Sequence, residues 1–205
     1  MSSILMRRLW KVVLLMPFSA TMRLTRNLRE SLRRLDAHAC LSADLSYPLP
    51  VSVVVRGRSY VDGSRNILIG ENALLYAGLH LETQGKAVIN IGNGAVIARG
   101  VHIVAMSGIT IGAGCMIGEY ASIRDANHQR EEGVTIRDAG HVARRIEIGR
   151  EVWIGRGVTV LPGVCIGDKA TIGANAVVTH NVEAGAVVAG VPAIPIRSEN
   201  TQNRV

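Results

Sequence analysis

From Ile69 to Val178 an aliphatic residue returns at every sixth position, with three offsets. The series is Ile69, Leu75, Leu81, then Ile91, Ile97, Ile103, then Ile111, Ile117, Ile123. After a long gap it continues as Ile148, Ile154, Val160, Ile166, Ile172 and Val178. Glycine directly follows eight of these positions, at Gly70, Gly92, Gly112, Gly118, Gly149, Gly155, Gly167 and Gly173. Four positions after most of the aliphatics stands a small or branched residue, such as Ala73, Ala95, Val101, Cys115, Ala121, Val158 or Ala170. A period of six is neither the 3.6 of a helix nor the bare alternation of a strand. It predicts a short strand and a sharp turn, repeated, with three such units closing one coil of a parallel β-helix. The aliphatic and the small residue point inward, glycine supplies the turn conformation, and coils stack about 4.8 Å apart. Val55 and Val61 begin a further coil, so about five to six coils span residues 47–183. A solenoid buries its core only by stacking, and its ends must be capped. Residues 1–46 and the segment 184–205 are the expected caps.

A different pattern precedes the repeat. Leu24, Leu28, Leu32 and Leu35 sit at helical spacing, and Leu5, Leu9, Val12, Val13 and Met16 make a second stripe that Pro17 should end. Two amphipathic helices are expected. They either pack on the open end of the solenoid or a neighbouring subunit, or lie on the inner face of a membrane through residues 1–20, where Trp10 adjoins the apolar run 12–18. Lys11 interrupts the apolar stretch and no A-x-A site follows, which argues against a signal peptide.

Composition agrees with this division. Of 205 residues, 48% are apolar and 19% charged, which excludes a disordered chain. Seven aromatics are too few for an aromatic core, so small and branched aliphatics must fill it. The net charge is +7, and residues 1–46 hold eight basic against three acidic side chains. The body is therefore nearly neutral, which argues against nucleic-acid binding. Cys40, Cys115 and Cys165 form neither a metal-binding spacing nor a disulfide framework. Reduced thiols in a cytoplasmic protein are the plain expectation, with Cys115 as a small wall residue.

The longest break lies between Ile123 and Ile148, and residues 124–147 should loop out of the solenoid. Extruded loops on rigid scaffolds are where function concentrates. This one opens with Arg124-Asp125-Ala126-Asn127-His128 and also holds His141, Arg144 and Arg145.

Four segments, SIRDANH at 122–128, IGREVWIG at 148–155, VLPGVCIG at 160–167 and AGVPAIPI at 189–196, resemble the hexapeptide-repeat acyltransferases. The similarity is to the branch of galactoside, maltose and surface-polysaccharide O-acetyltransferases and covers roughly residues 50–197. It implies an all-β fold, a left-handed parallel β-helix, assembled as a homotrimer with active sites between subunits. It implies acetyl-CoA as acyl donor, no metal, and a sugar or glycan acceptor. His128 matches the family's catalytic histidine, since an imidazole near neutral pKa can take the proton of an attacking hydroxyl. Asp125 is the candidate to orient it. Trp153, Gly173, Ala174, Gly190 and Pro192 match the cofactor cleft, and Lys169 and Arg197, with Arg145 and Arg156 as options, are candidates for the phosphates. The family's substrate-binding asparagine is missing from the coil before the loop, which reads Ala98-Arg99-Gly100-Val101-His102. Arg99 and His102, with Asn127, are then the acceptor candidates, and a simple galactoside fits poorly. A serine acetyltransferase is a second enzyme reading, weakened by the short helical part. A γ-type carbonic anhydrase would need an H-x4-H pair that the histidines do not offer. A non-catalytic scaffold is the third class.

Overall fold

The computed structural model describes residues 3–196, the side chains of 3–9 and 12–14 excepted. Six coils of parallel β-helix run from Val54 and form three faces, the sixth coil meeting the third face through the single Ile166–Val182 bridge instead of a strand. The first face stacks Val54–Val55, Leu74–Leu75, Val96–Ile97, Met116–Ile117, Trp153–Ile154, Thr171–Ile172 and Val187–Ala189. The second stacks Tyr60–Gly63, His80–Thr83, His102–Ala105, Ser122–Arg124, Thr159–Val160 and Val177–Val178. The third stacks Ile67–Ile69, Ile89–Ile91, Ile109–Ile111, Ile146–Ile148 and Cys165–Ile166. Parallel register sets aliphatic over aliphatic, as in Leu75↔Ile97↔Ile117↔Ile154↔Ile172.

The period of six is thus a burial pattern. Leu75, Leu81, Ile97, Ile103, Ile123 and Ile154 have no exposed surface, and each such side chain contributes about 1.5–3 kcal/mol of burial. The small positions Ala73, Ala95, Val101, Cys115 and Ala121 are equally closed. The Cys115 thiol donates to the Gly149 carbonyl oxygen at 3.0 Å, and burial pushes its pKa up, away from thiolate.

The glycines after the aliphatics do not do what was expected of them. None has positive φ; that conformation falls two residues later, at Asn72, Gly94, Gly114, Tyr120, Glu151, Gly157, Lys169 and Asn175. The reason for glycine at the first site is close approach. A Cβ on Gly112 would lie 2.3 Å from the Gly149 carbonyl oxygen of the next coil, and one on Gly92 2.6 Å from the Ala113 nitrogen.

The N-terminal arm is helical: α1 (Ser3–Leu24) and α2 (Arg26–Asp44) meet at Thr25. Contrary to expectation, Pro17 lies inside α1. The helix continues across the one backbone bond that proline removes, and the Ser19 and Thr21 hydroxyls donate to the Met16 and Pro17 carbonyl oxygens there, both at 2.9 Å. The stripe expected over Leu5, Leu9, Val12 and Val13 lies outside the described side chains. Among the described residues, the arm is buried against the solenoid at the far end of α2. Ala37 and Leu41 are buried with Leu49 and Val53 over the first coil, and the His38 Nδ1 lies 3.2 Å from the Val53 carbonyl oxygen. The stripe expected to form the cap does not: Leu24, Leu28, Leu32 and Leu35 are 88%, 63%, 55% and 65% exposed. At the other end, Val187–Ala189 extends the first face and Ile194–Pro195 turns back antiparallel on it.

Candidate active site

The expected excursion is a β-hairpin. Arg124 still pairs with Val104, and Ile146 and Glu147 have rejoined the third face, so the chain is outside the coils only from Asp125 to Arg145. Ala126–His128 pairs antiparallel with His141–Ala143, and His128 stands directly opposite His141. Their rings are 4.3 Å apart at 40°, on the exposed part of the hairpin. Asn127 is exposed opposite Val142.

Asp125 sits at the hairpin's root with no exposed surface. Its carboxylate accepts the backbone N–H groups of Met106, Ser107 and Gly108 at 2.7, 2.7 and 2.6 Å. A buried carboxylate needs such compensation. Asp125 therefore fastens the hairpin to the turn of the preceding coil, and its hydrogen bonds go to that backbone instead of to the imidazole. Gly108, at φ +143°, belongs to this turn.

A groove of about 590 Å³ runs along the first face. Val96, Met116 and Trp153 form its floor as outward neighbours in successive coils, and Tyr76, Arg99 and Glu119 line it as well. Trp153 and Arg99 are thus brought together. The hairpin leaves from the opposite corner, between the second and third faces, so one chain does not bring His128 to this groove.

The remaining candidates are dispersed. His102 lies on the second face, its ring 4.9 Å from that of His80, which stacks on Tyr60 at 5.3 Å. Desolvation, then His80 and Arg124, hold the His102 pKa below its usual value, with Glu82 opposing. Lys169 is exposed, with its Nζ 3.7 Å from Glu151. Gly173 has a packing reason, since its Cβ would meet that of Ala189 at 2.7 Å. Ala174 and Arg156 are exposed at corners, and Arg145 covers Gly108. Gly190, at φ +97°, and Pro192, after a cis bond, lie in the closing turn. Arg197 lies outside the described residues.

Sequence reasoning left out Met116 and His141. Met116 was readable: it precedes an inward Ile as Trp153 does, one coil away. His141 was in view only as a loop residue, because its pairing depends on the hairpin register.

The family model for bacterial transferase hexapeptide (six repeats) matches residues 145–180. WbbJ of Escherichia coli (strain K12), assigned to lipopolysaccharide biosynthesis as an O-acetyl transferase, is 32% identical over 160 residues. That alignment covers 74% of this chain and 82% of the relative. The chain belongs to the hexapeptide-repeat transferase family. It is an acyltransferase, and its coils wind left-handed. Among solved structures, the hexapeptide-repeat acetyltransferase VCA0836 of Vibrio cholerae O1 biovar eltor, complexed with acetyl coenzyme A, is 28% identical with a TM-score of 0.55. The match covers 64% of this chain and 70% of that one. AntD, an N-acyltransferase of Bacillus cereus in complex with dTDP and 3-hydroxybutyryl-CoA, has a TM-score of 0.59 at 18% identity, covering 72% and 80%. AntD shares the fold. Among the described residues of this acyltransferase, no three His, Cys, Asp or Glu side chains converge as a metal site would require.

Proposed function

We propose that this acyltransferase moves an acetyl group from acetyl-CoA to a sugar hydroxyl of a surface polysaccharide or its precursor, with His128 as general base. The likeness to WbbJ supports the acceptor class, and the likeness to VCA0836, solved with acetyl-CoA, supports the donor.

The observation that carries the mechanism is the separation of parts. The groove at Trp153 and the hairpin bearing His128 leave one coil stack in different directions. The outward column of the first face is apolar, running Val54, Leu74, Val96, Met116, Trp153. Such a column on an exposed sheet marks an interaction surface. A homotrimer that sets the hairpin corner of each chain against the first face of the next brings His128 to a neighbour's groove and completes three sites.

The groove suits the donor. Its apolar floor fits a pantetheine-like chain, and Arg156, whose backbone adjoins Gly118 of the groove, supplies a cation nearby. Lys169, with Gly173, Ala174, Gly190 and Pro192, would line the path toward the nucleotide end, and Arg197, outside the described residues, remains a candidate for a phosphate. Acetyl-CoA supplies an activated carbonyl; the chain's own groups do the rest. A ring nitrogen of His128 takes the hydroxyl proton of the acceptor and holds it until a leaving group needs it. Asp125 is a positioning residue, holding the hairpin root so that His128 stays in place. Asn127, Arg99 and His102 are the acceptor contacts. Three free cysteines, one buried, suit a cytoplasmic setting.

The test is thiol release from acetyl-CoA with a panel of sugars and glycan fragments. His128→Ala should lower kcat at least about a hundredfold without changing the unfolding midpoint. Near-normal turnover in that variant would end the general-base assignment.

A further inference from the structure

We propose that the N-terminal helical arm seats the protein on an anionic phospholipid surface. Ala37 and Leu41 of α2 cap the solenoid. Leu28 and Leu32 each lie nine residues earlier, which is two and a half turns, so they point directly away from that contact. They form an exposed pair on the far side of the arm, with Leu35 exposed beside them toward the first coil. α1 extends the exposure: Trp10, Leu15, Met16 and Phe18 are 64%, 58%, 67% and 60% exposed. Residues 12–18 are seven consecutive apolar residues, about 10 Å of helix. Among the described residues no helix is long and apolar enough to cross a membrane.

Charge chooses between occupants. Arg26, Arg29, Arg33 and Arg34 of α2 and Arg56 of the first coil line one depression, in which Glu30 is the single acid. Arg34 already engages Glu30 and holds its carboxyl below the usual range. Arg29 and Arg34 flank the leucine stripe, where a long guanidinium stem can reach a phosphate while its neighbours sit in lipid. A second copy would bring another strongly cationic arm alongside, whereas anionic headgroups neutralise this one.

The full-length protein is mixed with vesicles of phosphatidylcholine, with and without phosphatidylglycerol, and followed by co-sedimentation and tryptophan emission. Vesicles containing phosphatidylglycerol should retain the protein and shift emission to the blue. Trp10→Phe should abolish that shift, and Trp153→Phe should keep it. Leu28→Asp combined with Leu32→Asp should weaken partition about tenfold or more at an unchanged unfolding midpoint. Arg29→Glu with Arg34→Glu should remove the dependence on phosphatidylglycerol. Absence of vesicle binding and of any blue shift in the wild-type protein overturns the proposal. So does a leucine variant that partitions normally but falls from trimer to monomer, because the stripe then belongs to a second copy.

Discussion

The solenoid and the arm use the same aliphatic residues to opposite ends. In the coils, Ile103 and Leu81 have no exposed surface; in the arm, Leu28 and Leu24 are 63% and 88% exposed. A coil has neighbours above and below, so each inward side chain is closed by the stack itself. A helix projecting beyond the last contact has no such neighbour. Apolarity therefore reads as stability in one region and as an unfilled contact in the other.

The contrast can be broken most forcefully by truncation. Ile103→Ala should cost about 2–5 kcal/mol in urea unfolding, while Leu28→Ala should stay within about 0.5 kcal/mol. Equal losses would mean that the arm is part of the core. Next comes the seam between coil and hairpin. Asp125→Ala strands three backbone N–H groups and should cost about 1–3 kcal/mol. It should also lower kcat, because the hairpin root is released; an unchanged kcat would show that His128 is held by other means. Gly112→Ala should cost about 1–3 kcal/mol through forced separation of two coils, whereas Ser31→Ala in the arm should be nearly silent.

The smallest effect is in pH. His102 titrates below its usual 6.5 in the folded chain, chiefly because it is desolvated. The unfolded chain then binds the proton more readily. The contribution of this group is complete above about pH 6.5 and is lost as pH falls toward the folded pKa. His102→Gln should flatten that part of a stability–pH curve, with no corresponding change from substitutions in the arm.

The inward columns were legible because burial enforces them: Ile97 and Ala95 must be apolar and small whatever surrounds them. The bend was misread because the left-handed position at the corners accepts Asn72, Tyr120, Glu151 and Lys169 as well as glycine, so no single residue type marks it. Pro17 misled because a proline removes one backbone bond without obliging the helix to end. In the candidate site, His128 stood within a motif that its neighbours made recognisable. The partners of Asp125 did not, because they lie 17 to 19 residues upstream, on a turn that only stacking brings near. The leucine stripe was visible as a pattern, but which side of the helix would dock depended on Ala37 and Leu41, too small a signal to outweigh four leucines.

The amide of Arg144 donates to the carbonyl oxygen of Asp125 at 2.8 Å, so the chain departs from the coil and returns to it at a single point. Seen from the stack, everything between those two residues is an appendix whose size is invisible to the ladder. Such a tip can be lengthened, trimmed or exchanged for another without re-registering a single rung, and the reactive equipment of the molecule can change while its skeleton stands still.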